Sequence, residues 1–324
     1  MGIGSTVTRW REVPISDLLT IPAFNRISDY FGVWAMEPGA AAMLHATVRS
    51  MDMMTHVYNA EKEPTPVRCA VEKVAGSGGK TISVISLSGI LMKPQTSMGG
   101  TSTVAARREV RNAAADAEVG AILLRVDSPG GTSAGTDDLA QEVRAAAKKK
   151  PVWAYVDDLA ASAAVWAISG AANIYANSPT ALYGSIGTYQ VLYDASAAGE
   201  ASGEKTILVS TGPLKGLGVY GTKITPEQVA HVQGLVNSLQ VSFDTAVQKG
   251  RGLSAKELAA VRHGGVITAE QAIDAKLIDG IQSINKTIAE LSVAMKEPGR
   301  PIRSDVPPEL LPMRNTRQLL PMRA

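Results

Sequence analysis

Three short stretches carry groups that could do covalent chemistry. The first is Val152 to Gly170, VWAYVDDLAASAAVWAISG. Val152–Val156 reads as a short buried strand, Asp157 and Asp158 end it, and Ala160-Ala161-Ser162-Ala163-Ala164 leads into a helix through Val165, Trp166 and Ile168. Ser162 then lies near a helix N-terminus, where free N–H groups and the macrodipole favour negative charge. Its small neighbours let a second backbone approach. The same serine would serve as an ordinary N-cap. The second stretch is the strand Ala121–Val126 followed by Asp127-Ser128-Pro129-Gly130-Gly131 and a helix from about Ser133 to Lys148. A strand entering Pro-Gly-Gly turns sharply and exposes backbone N–H groups, a surface that can hold an oxyanion. It is also a common loop. The third is SPTALYGSIGT, Ser178–Thr188, after the strand Asn173–Ala176, with STGPLKGLGVYG beyond it. Lys215 of that segment is either a solvated loop residue or a lysine held against apolar surface. Desolvation there favours a neutral amine, which can act as a base.

The repeating strand–helix order predicts parallel strands joined by right-handed crossovers. Ser162 and the Pro-Gly-Gly turn then fall at the carboxyl ends of neighbouring strands, the usual place for a site in such sheets. Ile82–Leu87 is the expected first core strand, and a helix over about Val104–Ala117 carries Arg107, Arg108 and Arg111 on its polar side. Tyr189–Leu192 looks like a strand, and Ile207–Val209 is the expected strand delivering Lys215. Thr225-Pro226-Glu227 opens a helix that runs to Gly250. Ala40–Met54 reads as a helix after the turn at Glu37-Pro38-Gly39, and Tyr58–Gly79, with its prolines and glycines, as a linker.

At 324 residues, with 45% hydrophobic and 19% charged residues, the chain has a globular profile. A net charge of +2 gives no electrostatic support to nucleic-acid binding or membrane attachment. One cysteine, Cys69, excludes an internal disulfide framework and reads as a small buried hydrophobe. Four histidines without metal-ligand spacing predict no metal site, and no cofactor is expected. A Ser–His–Asp arrangement using His263 is conceivable. The N-terminus has no apolar stretch of secretory length, and no run reaches the roughly 20 apolar residues of a membrane span. The expected location is cytoplasmic.

Together, DSPGG, the Asp157–Asp158 pair, the AAS helix, NSPT and GSIG resemble the signal peptide peptidase A family of serine proteases, and within it the protein C type of phage head-maturation protease. The likeness runs from about Thr81 to Glu290 and includes ISVISLSGILM and GGVITAEQAIDAKLIDGIQSI. It implies an α/β architecture, the ClpP/crotonase-type fold of stacked ββα units with a mostly parallel sheet. It makes Ser162 the nucleophile and Lys215 the general base, in a Ser-Gly-x-x-Lys-like segment about fifty residues on. The oxyanion hole falls on the N–H groups of Gly130 and Gly131. Ser185 would orient the lysine amine. One departure is visible. The family commonly has Ser-Gly-Gly where this chain has Ser162-Ala163-Ala164, and alanine there could narrow the room for substrate backbone.

The resemblance implies a Ser-Lys endopeptidase acting on capsid-assembly or scaffold protein, with self-cleavage, capsid or portal association, and a homo-oligomer. The dyad could form within one chain or across subunits. Three other readings stay open: a cytoplasmic peptidase degrading signal or other peptides, a crotonase-type acyl-CoA enzyme using Asp157 or Asp158, and an inactive scaffold module. The expected domains are an N-terminal segment (1–75), the protease domain (76–296) and a proline-rich tail (297–324). In the tail, two Leu-Pro-Met-Arg clusters, ending at Arg314 and Arg323, could dock or be cut.

Overall fold

Three long apolar runs dictate the centre of the molecule. In a computed structural model that describes residues 32–52, 69–93 and 100–295, they are β3 (Thr81–Ser88), β6 (Val119–Ser128) and β8 (Val152–Ala161). Strands covered on both faces read as continuous rather than alternating apolar sequence, and these three are nearly so. They pair in parallel, β3 with β6 and β6 with β8. β2 (Val71–Ala75) adds antiparallel to β3. β9 (Asn173–Ala176) and β10 (Leu182–Gly184) both pair in parallel with β8. β11 (Val266–Thr268) closes β10 antiparallel, and β12 (Gly280–Ile281) extends β9, giving eight strands. The expected α/β class with a mostly parallel sheet is thus observed.

Helices cover both faces. Ile85, Leu87, Ile122, Leu124, Val126, Ala154 and Val156 pack in one core with residues of α2 (Thr103–Ala115), α3 (Thr136–Ala147) and α4 (Ala163–Ile168). On the other face Ile82, Val84, Leu123, Trp153 and Tyr155 pack with Leu291 of α9 (Ile284–Ala294). A second sheet, in the order β1-β7-β4-β5, joins β1 (Trp34–Met36), β4 (Leu91–Met92), β5 (Thr101–Ser102) and β7 (Gly130–Thr132). α1 (Pro38–Ser50) follows β1 directly, capped by Glu37, whose carboxylate accepts from the N–H groups of Gly39 and Ala40. A short α5 (Ser196–Ala201) comes next. The long α6 (Pro226–Arg251) opens with a Thr225–Gln228 capping box and stops at Gly252 in the left-handed region. α7 (Ala255–Val261) and α8 (Ala269–Asp274) complete the set.

Four local expectations are corrected. β8 runs on through Asp157 and Asp158, because both carboxylates find partners at the sheet surface: Arg125 bonds Asp157 at 2.6 Å and Asn177 donates to Asp158 at 2.9 Å. Val71–Ala75 of the expected linker is a sheet strand. Tyr189–Leu192 contributes only one bridge, Tyr189 to Trp34. Ile207–Val209 is not a strand, since β11 already holds the free edge of β10; Val209 is 91% exposed. The expectations for the tail and for residues 1–31 lie outside the described residues.

The C-terminal end of α6 fixes α4 from below. A Cβ on Gly250 would lie 1.9 Å from the Ser169 carbonyl, so only glycine allows this approach. The next residue, Arg251, is buried and bonds Asp279 at 2.8 Å, while Asp279 also accepts from the Ile174 N–H. Removing one partner of a buried pair strands the other charge. Asp279→Ala is therefore expected to lower unfolding stability by about 3–5 kcal/mol in urea titrations. Asp157→Ala, which breaks a half-exposed pair with Arg125, should cost about 1 kcal/mol or less.

Candidate active site

Ser162 stands where β8 turns into α4. Its backbone is at φ 54°, ψ −113°, a region non-glycine residues rarely occupy, at a cost of about 1–3 kcal/mol. The N-cap role is not realised, because its side chain accepts no helix N–H. The Oγ instead donates to the Gly187 carbonyl at 3.3 Å. The turn is held by backbone: Ser162 N–H donates to Gly184 O at 2.8 Å, and Ser162 O accepts from Trp166 N–H at 3.0 Å. Ser162 is fully buried in the chain as it stands.

Gly130 is packed against this turn. It has φ 97°, and a Cβ there would lie 2.8 Å from Ala161 O, 2.9 Å from Ala163 N and 2.4 Å from Ala35 O. The glycine is thus required twice, for its backbone angle and for the close approach. Its N–H donates to Ser128 Oγ at 3.1 Å, and Ser128 in turn donates to Gly89 O. Gly131 is placed differently. It faces Leu91 of β4 and pairs with Ala35 of β1. Flanking bonds from Glu37 N–H to Pro129 O and from Ser133 N–H to Val33 O set the alternation, which puts Gly131 and Ala35 in a hydrogen-bonded pair.

Ser185 is buried with φ 51°, and its N–H donates to Gly265 O at 2.7 Å. Two serines in the left-handed region thus lie on adjoining turns. Lys215 lies elsewhere. It is exposed, and its backbone N–H donates to Gly212 O. Its segment is tied to the start of α6, where Gln228 donates to Pro213 O. The Ser162 neighbourhood meets α6 two turns later, through Thr188 and the Val236 carbonyl. Eight helical residues separate these anchors, about 12 Å along the axis. The structure therefore brings Ser162, Gly130 and Ser185 to one region, while Lys215 is exposed on a segment tied to the start of α6.

Other candidates resolve simply. Asp157 and Asp158 are engaged as described. Asp127 beside them is held above the usual carboxylate range by partial burial and by these two neighbouring charges. His263 is exposed and accepts from the Gly265 N–H. Burial pushes the Cys69 thiol up to about 12, which keeps it protonated and unreactive. Among the described residues, no cluster of His, Cys, Asp or Glu could hold a metal ion. No helix among them is long and apolar enough to cross a membrane. Sequence reading missed Gly187 as the acceptor of the hydroxyl, Gly184 as the acceptor of the Ser162 N–H, and Ala163 as the neighbour of Gly130. The first two sit inside the small-residue run that had been noticed. Ala163 stood out only as the first alanine of the Ser162-Ala163-Ala164 departure.

Residues 144–297 match the model of peptidase family S49. Over that stretch the chain is SppA-like and similar to the S49 family. It is 30% identical over 225 residues to Protease 4 of Salmonella typhi, covering 69% of this chain and 36% of that protein. It is 30% identical over 214 residues to Capsid assembly protease C of Escherichia phage lambda, covering 64% of this chain and 47% of that one. The first relatives are thus matched over 36–57% of their own length. An enoyl-CoA hydratase structure from Shewanella pealeana overlays with a TM-score of 0.43 and 11% identity, covering 76% of this chain and 78% of the other. At that score the strand order above, not the likeness, defines the fold.

The close approach at Gly130 can be tested without any activity. Gly130→Ala should clash with three backbone atoms and lower stability by about 2–4 kcal/mol, read as a melting temperature several degrees lower. An unchanged melting temperature would place Gly130 away from the turn.

Proposed function

We propose that this chain is a serine endopeptidase in which Ser162 attacks the scissile carbonyl and Lys215 is the base. The observation that carries the reading is Ser162 held in a strained strand-to-helix turn with Gly130 against it. A strained turn with an uncapping hydroxyl and a glycine backbone alongside is what an acyl-transfer site needs and a structural serine does not. Neutral Lys215 takes the hydroxyl proton and returns one to the leaving amine. The N–H of Gly130, with that of Ala163 at the first helical position, holds the oxyanion, at about 3 kcal/mol per donor, while the backbone of Gly131 serves strand pairing along β7. Ser185 is the orienting partner for the amine. The substrate proposed is a capsid-assembly or scaffold protein, because one relative is named a capsid assembly protease. Processing would take place in the cytoplasm.

Lys215 reaches Ser162 from a second copy of the chain. Support comes from its exposed position and from the apolar residues around it. Ile207 is 76% exposed, and Leu208, Leu214 and Val219 are exposed nearby. A segment with so much uncovered apolar surface gains by docking on a neighbour. A homo-oligomer would then be needed for any activity.

The test is complementation. Ser162→Ala and Lys215→Ala are each expected to abolish cleavage of the chain itself and of co-expressed scaffold protein, read by intact mass. Mixing the two dead variants should restore about a quarter of the sites, since some then pair an intact serine with a neighbour's lysine. Activity in either single variant would overturn the dyad. Dead mixtures beside an active wild type would place both groups in one chain.

A further inference from the structure

The strand β1 lies in an unexpected place. Its Met36 pairs with Gly130, Ala35 with Gly131 and Trp34 with Thr132, antiparallel, on the side of β7 not used by β4. Its other edge meets the segment after GSIG. Trp34 N–H donates to Tyr189 O at 2.8 Å, and Tyr189 N–H donates to Trp34 O at 2.9 Å. The bridge stops there, and the same antiparallel register carried two residues further would set Met36 opposite Gly187. Gly187 O is the atom that Ser162 Oγ bonds. Met36 is therefore paired with Gly130 on one edge and turned towards the Gly187 segment on the other, and both glycines neighbour the Ser162 turn. The alternation that turns Ala35 towards β7 turns the Met36 carbonyl to the Gly187 side, where the hydroxyl is.

We infer that Trp34–Met36 is the chain's own occupant of the groove in which a peptide substrate is held, with the Met36–Glu37 bond at Ser162. The inference rests on the reading of Ser162 as the nucleophile. Three features fit an occupant rather than a fixed wall. β1 and α1 contribute a small cluster of their own, Trp34, Met36, Ala41, Leu44 and Val48 with Met92, in which Met92 is the one buried member from the rest of the chain. Ser162 is fully buried, and β1 is the layer on the neighbouring Gly130. Every backbone group that β1 uses on β7 and at Tyr189 is one that an extended peptide would use by strand addition. Pro38 and α1 begin immediately past the bond, so the helix fills the leaving-group side. A substrate must displace β1 and α1 together. The replacing peptide is an extended one, with a long unbranched apolar residue like methionine before the cut and a small residue before that.

The test uses the full chain carrying Ser162→Ala, so that binding is read without turnover. A fluorescein-labelled peptide of residues 33–38, Val-Trp-Ala-Met-Glu-Pro, is titrated by anisotropy. Ala35→Pro removes the N–H that β1 gives to β7 and should release the strand. The peptide is expected to bind this variant at least ten-fold more tightly than the parent. Hydrogen exchange on the parent at saturating peptide gives a second reading that needs no released variant. Protection of residues 34–36 should fall while that of 130–132 persists. Equal affinity in a folded Ala35→Pro variant, no binding to either, or residues 34–36 still protected with peptide bound would each overturn the inference. Failure of the nucleophile reading would show separately, as a chain whose Ser162 is never acylated although the peptide binds.

Discussion

A hydroxyl can be lifted out of helix capping only if the backbone beneath it is forced into a conformation that capping does not use. Ser162 is held that way, in the left-handed region at the end of β8, and the cost of about 1–3 kcal/mol must be met by its surroundings. The surroundings are specific. The serine's own N–H is taken by Gly184 and its carbonyl by Trp166. Gly130 approaches so closely that any side chain would strike three backbone atoms. Gly250 lets α6 press on the end of α4. Each contact is backbone to backbone, which explains why alanine and glycine dominate these segments. Ala163 and Ala164 are both fully buried in the helix that follows.

The same economy of side chains leaves a groove. β7 offers one edge and the Gly187–Tyr189 segment the other, and the space between is one strand wide. In this chain it is filled by residues 34–36. On the opposite flank the segment carrying Lys215 stands away from the core with its aliphatic residues uncovered. A buried Ser162 hydroxyl and an exposed Lys215 thus describe one state of the molecule.

Much of this could be read in the sequence, for physical reasons that differ by element. β3, β6 and β8 announce themselves as apolar runs because parallel strands are buried on both faces. α6 announces itself through Thr225-Pro226-Glu227 and Gln228, since capping is local chemistry. Ser162 and Gly130 stood out because small residues cluster where backbones touch. β1 could not be read. Trp-Ala-Met is three residues long, and its strand character comes from partners about a hundred positions away. Ile207–Val209 failed in the opposite way, having strand composition but no edge to join. Asp157 and Asp158 looked like a stop and were not, because a charge at a strand's surface is tolerated once paired. Gly130 and Gly131 looked equivalent in sequence, whereas alternation along β7 points only one of them at the turn.

The assignment of Ser162 is most directly tested by labelling the wild-type chain with an aryl fluorophosphonate and mapping the adduct by peptide mass. A single adduct on Ser162, absent from Ser162→Ala and slowed at least ten-fold in Lys215→Ala, is the expected result. An adduct on another serine, or labelling of Ser162 at the same rate with and without Lys215, would contradict the assignment of nucleophile or base.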